Sequence, residues 1–393
     1  MSGQIKLKAA SLGGDITLTP TDTASNLVVT IPATTGSAVV STTALAYSPF
    51  VGFRNRIING GMTIDQRNAG AAVTANGTYP VDRFLIGNGT DGAFSAQRDT
   101  VAPSGFINSL KVTTTTADAT LTTTQGLLAA HYIEGLNVAD LAWGTASAQP
   151  VTLSFWVRSS LTGTFGGSLQ NSALDRSYPF TYTISSANTY EYKTITVPGD
   201  TSGTWLTTNG IGLRLWFGLG VGPDRSGTAG AWSGSDLRSV TGAVSVIGTL
   251  SATWFITGVQ LEKGSTATPF EFRSIGQELA LCQRYYYRLN GNASAPRAGA
   301  GFNATTTLAD YVFSFPVQMR IDITALEQSG TASDYNITHG GTNTNCSSVP
   351  TYLSGSKDTI GFRFTVASGL TAGQGSLARL LNANAFLGLS AEL

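Results

Sequence analysis

Charge is scarce in this chain. Only 12% of its 393 residues are charged, about half the roughly 25% usual for soluble domains. The 23 basic and 23 acidic residues cancel, and no block of Lys or Arg occurs, which argues against a nucleic-acid partner. Two cysteines, Cys282 and Cys346, are too few for a disulfide framework. The two histidines, His131 and His339, have no metal-ligating neighbour at useful spacing. Cys-x-x-Cys, a glycine-rich phosphate loop before a helix and a Gly-x-Ser-x-Gly elbow are all missing. No cofactor or metal is therefore expected, and no enzyme. No run approaches the roughly 18 apolar residues of a membrane span. The opening "MSGQIKLKAASLGGDITLTP" lacks the apolar stretch of a signal peptide. The expectation is a chain folded in a reducing cytosol, with Cys282 as a buried thiol, that leaves its cell by lysis.

What fills the space left by charge is glycine (46 residues) and threonine. Threonine suits strands and glycine suits turns, so the bias predicts a β-rich chain with polar, uncharged surfaces. The length exceeds what one core serves well, so more than one domain is expected. Residues 1–49 carry short alternating runs: Ile16 and Leu18 in "DITLTP", then Leu27, Val29 and Ile31 in "NLVVTIP". Strands this short are marginal alone, which reads as an attachment arm that needs a partner.

From residue 50 to 273 turn signals become dense, among them Asn59-Gly60, Asn88-Gly89 and Asn209-Gly210. Strong strands lie between them. "VTLSFWVRS" sets Val151, Leu153, Phe155 and Val157 against Trp156 and Arg158; "GLRLWFGL" sets Leu213, Leu215, Phe217 and Leu219 against Arg214 and Trp216. "WFITGVQLE" places Phe255, Thr257, Val259 and Leu261 on one side, Trp254, Ile256 and Gln260 on the other. The pattern predicts a β-sandwich, with a short helix at 133–143. Residues 291–393 return to β texture in "YVFSFPVQMRIDI", "IGFRFTV" and "NAFLGLSAEL", enough for a second sandwich tied down at its last strand. The fold class is thus mainly β: two β-sandwich, jelly-roll-like domains joined by a short helix, with an N-terminal β arm.

The joining stretch, 274–290, reads as that helix. Ser274 followed by Gln277 is a capping-box pattern, and Ile275, Leu279, Cys282, Tyr286 and Leu289 repeat at alternating spacings of four and three. Two heptads are too short to stand isolated. The helix packs either on a neighbouring sheet or against other copies of itself.

Candidates for chemistry are few. Asp175, Asp200, Asp224 and Asp236 occupy loop-like segments and offer a glycosidase pair or a calcium loop in principle. The "Asp-x-Ser-Gly-Thr" setting of Asp200 and Asp224 reads more simply as an Asx turn. Trp156 and Trp216 share a face with Arg158 and Arg214, opposite the core, and three readings stay open: a subunit interface, a second core, or a sugar-stacking platform. Trp205 and Trp232, in loops, are candidate glycan-binding residues.

At "FRNRIINGGMTIDQRN", "YPVDRFL", "PVTLSFWVRSS", "WFITGVQLEKGSTATPFEFR" and "ELALCQRYYYRL" the chain resembles bacteriophage tail-fibre and virion-associated proteins. The match spans about residues 50–290, with looser likeness in the N-terminal arm and the "FLGLSAEL" ending. The resemblance implies a structural fibre of a phage particle, a homotrimer, with a central sandwich similar to carbohydrate-binding modules. In that picture the arm attaches to other tail or capsid proteins and the distal part meets host-surface polysaccharide. It is made in the host cytoplasm and ends in the virion. The helix would then be a trimer clasp, with Trp156, Arg158, Arg214 and Trp216 at the subunit interface. A capsid fibre or tail adaptor without receptor role, and a glycan-degrading tailspike, are the alternatives. Asp82 in "VDRF" and Glu262 in "QLEKG" are the charged members of these motifs and read as structural.

Overall fold

A computed structural model describes residues 53–393 in full, and two strands of the segment before them. Residues 1–52 form a unit of their own. There β1 (Ile5–Lys8) runs antiparallel to β2 (Asp15–Leu18), Ile5 opposite Leu18. The rest of the expected arm, including Leu27, Val29 and Ile31, lies outside the described residues.

The second unit begins with a sandwich. In chain order its strands are β3 (Thr78–Val81), β4 (Phe84–Asn88), β5 (Ala93–Asp99), β6 (Ser109–Thr116) and β7 (Gly126–Glu134). Then come β8 (Val151–Ser159), β9 (Gly163–Gln170), β10 (Ser177–Ile184), β11 (Glu191–Val197) and β12 (Ile211–Val221). A short parallel pair, β13 (Ser226–Gly227) and β14 (Ser239–Val240), precedes the long β15 (Thr253–Lys263). Two antiparallel sheets result, a six-stranded one in the order β10-β9-β12-β7-β4-β3 and a five-stranded one in the order β11-β8-β15-β6-β5. Val151, Leu153, Phe155 and Val157 from one sheet and Leu213, Leu215, Phe217 and Leu219 from the other meet in one core. These are the faces that alternation predicts, because successive strand residues point to opposite sides. The expected helix at 133–143 is instead two 3-10 turns, Gly135–Asn137 and Ala139–Leu141.

β15 departs from simple alternation. Trp254 and Ile256 are fully buried, and so are Val259 and Leu261. A register shift between Thr257 and Gln260, with Gly258 at φ +62°, inserts one residue and flips the parity midway. Phe255, expected with Val259 and Leu261, therefore points to the outer face, under Arg158 at 4.9 Å.

The helix is shorter than its heptad pattern. α1 (Ile275–Gln283) starts on the Ser274 cap, whose hydroxyl accepts from the Gln277 amide at 3.4 Å. It stops before the three tyrosines, and β16 (Tyr286–Asn290) takes over, paired with the last strand of the chain. Tyr286 and Leu289 are thus strand residues, and the expected helical clasp through Leu289 is corrected. Aromatic residues favour a pleated, half-buried surface, and a waiting strand edge decides the contest. Cys282 and Tyr285 instead form a small intramolecular core with Ile58 and Ile64, against which Leu279 packs.

Beyond α1 come β17 (Arg297–Asn303), β18 (Leu308–Ser314), β19 (Glu327–Gln328), β20 (Tyr335–His339) and β21 (Thr342–Asn345). β22 (Thr351–Gly355), β23 (Thr359–Thr365), β24 (Gly375–Leu380) and β25 (Phe386–Ser390) complete the chain. They form a seven-stranded sheet, β21-β20-β24-β17-β18-β23-β22, and a three-stranded one, β16-β25-β19, around a second core. The strand expected across "YVFSFPVQMRIDI" ends at Ser314, since Pro316 cannot donate to a ladder. The mainly β class, with two sandwiches joined by a short helix, holds.

Polar side chains lock the joint between the two cores. Buried Glu134 accepts from Arg284 at 2.6 and 3.0 Å and from the Tyr285 hydroxyl at 2.7 Å. Arg320 donates to the carbonyls of Ala391, Glu392 and Asn209. Buried Arg83 pairs with the Glu392 carboxylate and lies over the Tyr285 ring. His131 sits in this region without a charge. Burial, then the nearby Arg83 charge, push its pKa well down.

Candidate functional site: a cleft on the outer face of the six-stranded sheet

On the side of the six-stranded sheet away from the core, three strands line up a short row of large side chains. Arg214 of β12 stands opposite Tyr132 of β7, and Trp216 opposite Ala130. Leu85 of β4 continues the second row. One step further along, Gly166 and Gly218 carry no side chain because the β14 segment lies directly on them. A Cβ on either would fall 2.4 or 2.6 Å from the Ser239 hydroxyl. The excursion after β12 thus folds back over half the face and leaves a cleft of about 260 Å³ over the other half.

Trp216 and Tyr132 form its floor, edge to face at 5.5 Å. Trp216 is 5% exposed, and its indole N–H donates to Gln170 Oε1 at 2.9 Å. Arg238 lies over the indole at 4.9 Å. One wall carries Arg225 and Arg238, the other the amides of Asn76, Asn88 and Gln125. Asp236 holds the two arginines. Arg238 donates to both its carboxylate oxygens at 3.0 Å, Arg225 to Oδ2, and Gln170 to Oδ1 at 2.7 Å. Burial depresses the pKa of Arg238 and of Arg225, the latter further by the charge of Arg238, though both remain cations. Burial raises the Tyr132 pKa, so its phenol is neutral at pH 7.

Of the residues that the alternation singled out, Trp216 and Arg214 belong to this region and not to an open interface. Trp216 is covered within its own chain, and Arg214 donates to the carbonyls of Asn171 and Ser172 at 2.8 Å. Tyr132, Arg225 and Arg238 were missed. Tyr132 had a signal, since Leu128, Ala130 and Tyr132 alternate with Ala129, His131 and Ile133, and Leu128 and Ala130 form a separate cluster with Trp216 on the outer face. The arginines had none, because only the fold-back of their loop brings them over Trp216.

Of the expected glycan platforms, Trp205 and Trp232, the first is corrected by its burial. They pack edge to face on Trp143, at 4.6 and 5.3 Å, and on each other at 5.5 Å. Their indole N–H groups donate to the carbonyls of Ser202 and Pro198. Trp205 is buried. Trp232 is half-buried, with its ring also against Tyr178 at 5.2 Å.

Of the candidate carboxylates, Asp236 serves the cleft arginines, while Asp200 and Asp175 are held by local partners. Arg176 grips Asp200 with two bonds of 2.7 Å, and the Ser202 amide makes the expected Asx-type contact at 3.1 Å. Asn171 donates to Asp175 at 2.6 Å. Among the described residues no three of His, Cys, Asp and Glu gather as metal ligands. Asp82 accepts from Gln66 at 3.0 and 2.6 Å, and Glu262 from Thr268 at 2.8 and 2.6 Å. Both act as local ties.

A second surface lies outside the five-stranded sheet. Phe106, Phe270 and Phe272 stack within 4.8 to 5.4 Å of one another. With Ile107 and Ile275 they line a depression of about 290 Å³. Ile107 is 75% exposed, Phe272 and Ile275 66%. Phe106 reaches across Gly258 toward Trp156, which rests against Tyr192 at 5.4 Å. Of the expected interface set, Ile275 and Trp156 belong to this surface. Arg158 lies beneath neither, covering Phe255 and Tyr190 instead, while Cys282 and Tyr286 are buried in their own chain and cannot face a partner.

No family model and no curated protein matches the sequence. Among solved structures, a family 11 carbohydrate-binding module from Clostridium thermocellum, in complex with a mixed-linked tetrasaccharide, aligns at 10% identity and a TM-score of 0.26. It covers 51% of this chain and 100% of its own. The CBM22-1 xylan-binding domain of Paenibacillus barcinonensis Xyn10C aligns at 8% identity and 0.24, covering 51% and 99%. The enzymatically active domain of tailspike protein 4 of bacteriophage CBA120 aligns at 13% and 0.27, covering 55% of this chain and 22% of its own.

Proposed function

We propose that this protein is a structural fibre of a bacteriophage particle that attaches to its host by holding a surface glycan in the cleft over Trp216 and Tyr132. The observation that carries the reading is the cleft itself. It joins an aromatic floor to an amide wall and a guanidinium wall on a rigid sheet, the combination a sugar's apolar face and hydroxyl rim require. The fibre half of the reading is supported by the motifs of residues 50–290. It includes attachment of the N-terminal arm to other virion proteins and release by lysis.

The protein acts as a binder and not as a glycan-degrading tailspike. A glycosidase sets two carboxyl groups across the scissile bond, and among the described residues no carboxylate lines this cleft. The test is retention of the purified chain in gels cast with host-surface polysaccharide, beside a reducing-sugar assay. Retardation without sugar release is expected, with a roughly tenfold weaker effect for Tyr132→Ala. Migration unchanged by polysaccharide would sink the glycan reading and leave the adaptor role.

The exposed phenylalanine surface supports a second element, assembly with copies of this chain into a homotrimer. Exposed apolar patches of this kind mark interaction sites, and this one contains Ile275 and borders Trp156. Light scattering is then expected to give about 122 kDa, three times the 40.8 kDa chain.

A further inference from the structure

The ligand's charge is legible in the cleft. Two guanidinium groups line it, Arg238 over the Trp216 indole at 4.9 Å and Arg225 beside it, and a third, Arg214, stands outside the lining at 5.5 Å from the Tyr132 ring. One carboxylate, Asp236, answers them directly. It takes Nε and Nη2 of Arg238 and Nη1 of Arg225. Among the described residues no acceptor engages Nη1 of Arg238 or Nε and Nη2 of Arg225. Arg214 donates to the neutral carbonyls of Asn171 and Ser172. Asp224, the next acid, stands beside Arg225 in the chain and does not line the cleft.

A neutral sugar gives no reason for this arrangement. Arg225 and Arg238 are partly buried, 27% and 23% exposed, and holding such groups side by side costs free energy through lost hydration and mutual repulsion that a planar fork cannot relieve by shedding its proton. The excess is useful only where an anion arrives. A concave site with low-dielectric walls focuses such a field on its ligand, and the guanidinium fork matches a carboxylate with two parallel bonds. Resting on the reading of the cleft as a glycan site, we infer that its ligand is an acidic glycan, one whose sugar ring lies on Tyr132 and the edge of Trp216 while its carboxylate meets the free N–H groups of Arg225 and Arg238. Asp236 then acts as a positioning residue that holds both forks toward the opening.

The test uses the full chain in affinity gels with polygalacturonate, alginate and hyaluronate as acidic probes, and dextran, xylan and mannan as neutral ones. Each gel is run at about 0.05 and about 0.5 M salt, where the screening length falls from above 10 Å to a few ångströms. At least one acidic polymer should retard the chain at low salt, with roughly tenfold loss at high salt and in Arg225→Gln. Tyr132→Ala should lose retention of the same polymer at both salt levels. Melting followed by circular dichroism checks that Arg225→Gln is folded. If it is not, Arg225→Lys serves, since it keeps the charge and loses the fork, and weaker retention is again expected. Neutral polymers held as strongly, unaffected by Arg225→Gln but lost in Tyr132→Ala, would overturn the acidic ligand and leave the cleft a glycan site. Retention of none of the six would overturn both.

Discussion

Glu134 sets the terms at the residue scale. Burial alone would raise its pKa, but hydrogen bonds from Arg284 and Tyr285 and the Arg284 charge outweigh that and hold it below its ordinary 4.5. A depressed pKa adds stability above the unfolded value, and that contribution is lost as pH falls through the folded one. Urea midpoints of the native chain should therefore drop between pH 7 and pH values under 4.5, and drop less in Glu134→Gln. Glu134→Ala at pH 7 should cost about 3 kcal/mol, because Arg284 and the Tyr285 hydroxyl lose their acceptor. Cys282 makes a second prediction at this scale. Burial, then the nearby acids, push its thiol pKa well up, and Cys346 is buried as well. Thiol reagents at pH 8 should label neither until denaturant is added. Fast labelling of the native chain would contradict the placement of Cys282. The buried thiol was legible from a helical pattern alone. The partners of Glu134 were not, since residues 134 and 284 meet only through the tertiary fold.

Among the elements, β15 and α1 mark the limit of pattern reading. Alternation placed the inner faces of β8 and β12 correctly because β8 is regular and the register shifts of β12 fall at its two ends, outside Leu213–Gly218. It failed in β15, where Gly258 carries a bulge that no period-two reading contains. Gly258→Ala is expected to destabilise by about 1–3 kcal/mol, since a residue held at positive φ is strained. The new methyl would also lie 2.7 Å from the Phe106 ring. Chemical denaturation measures it, and a change under about 0.5 kcal/mol would mean the bulge is soft. The heptad spacing through Leu289 was a true periodicity with the wrong owner. Cys282 faces a small core in its own chain, and Tyr286 and Leu289 pair with β25, about a hundred residues away. A pattern of spacings cannot report which distant edge competes for a segment. Trp205 and Trp232 show the same limit, since loop position hid their stacking on Trp143.

For the whole molecule, the proposed function assigns a separate role to each outer face of the first sandwich. The six-stranded sheet carries the cleft, and the five-stranded sheet carries the phenylalanine cluster with exposed Phe272, Ile107 and Ile275. If the latter face joins copies of the chain, Ile107→Asp with Phe272→Asp should lower the mass in light scattering from about 122 to about 41 kDa, one chain being 40.8 kDa. Polysaccharide retention should survive in that variant apart from any loss of avidity. A native mass already at one chain would remove the homotrimer and leave this face for another partner. The mainly β class and its two cores were legible in turn signals and alternation. The cleft was not, because Arg225, Arg238 and Asp236 reach Trp216 only when the loop after β12 folds back. The measurement that tests the account most directly is a crystal structure with an oligosaccharide cut from whichever polysaccharide retains the chain. The account predicts sugar density against Tyr132 and Trp216, within hydrogen-bond reach of Arg225 and Arg238. Density on the phenylalanine face or in the second sandwich, with this cleft empty, would contradict it.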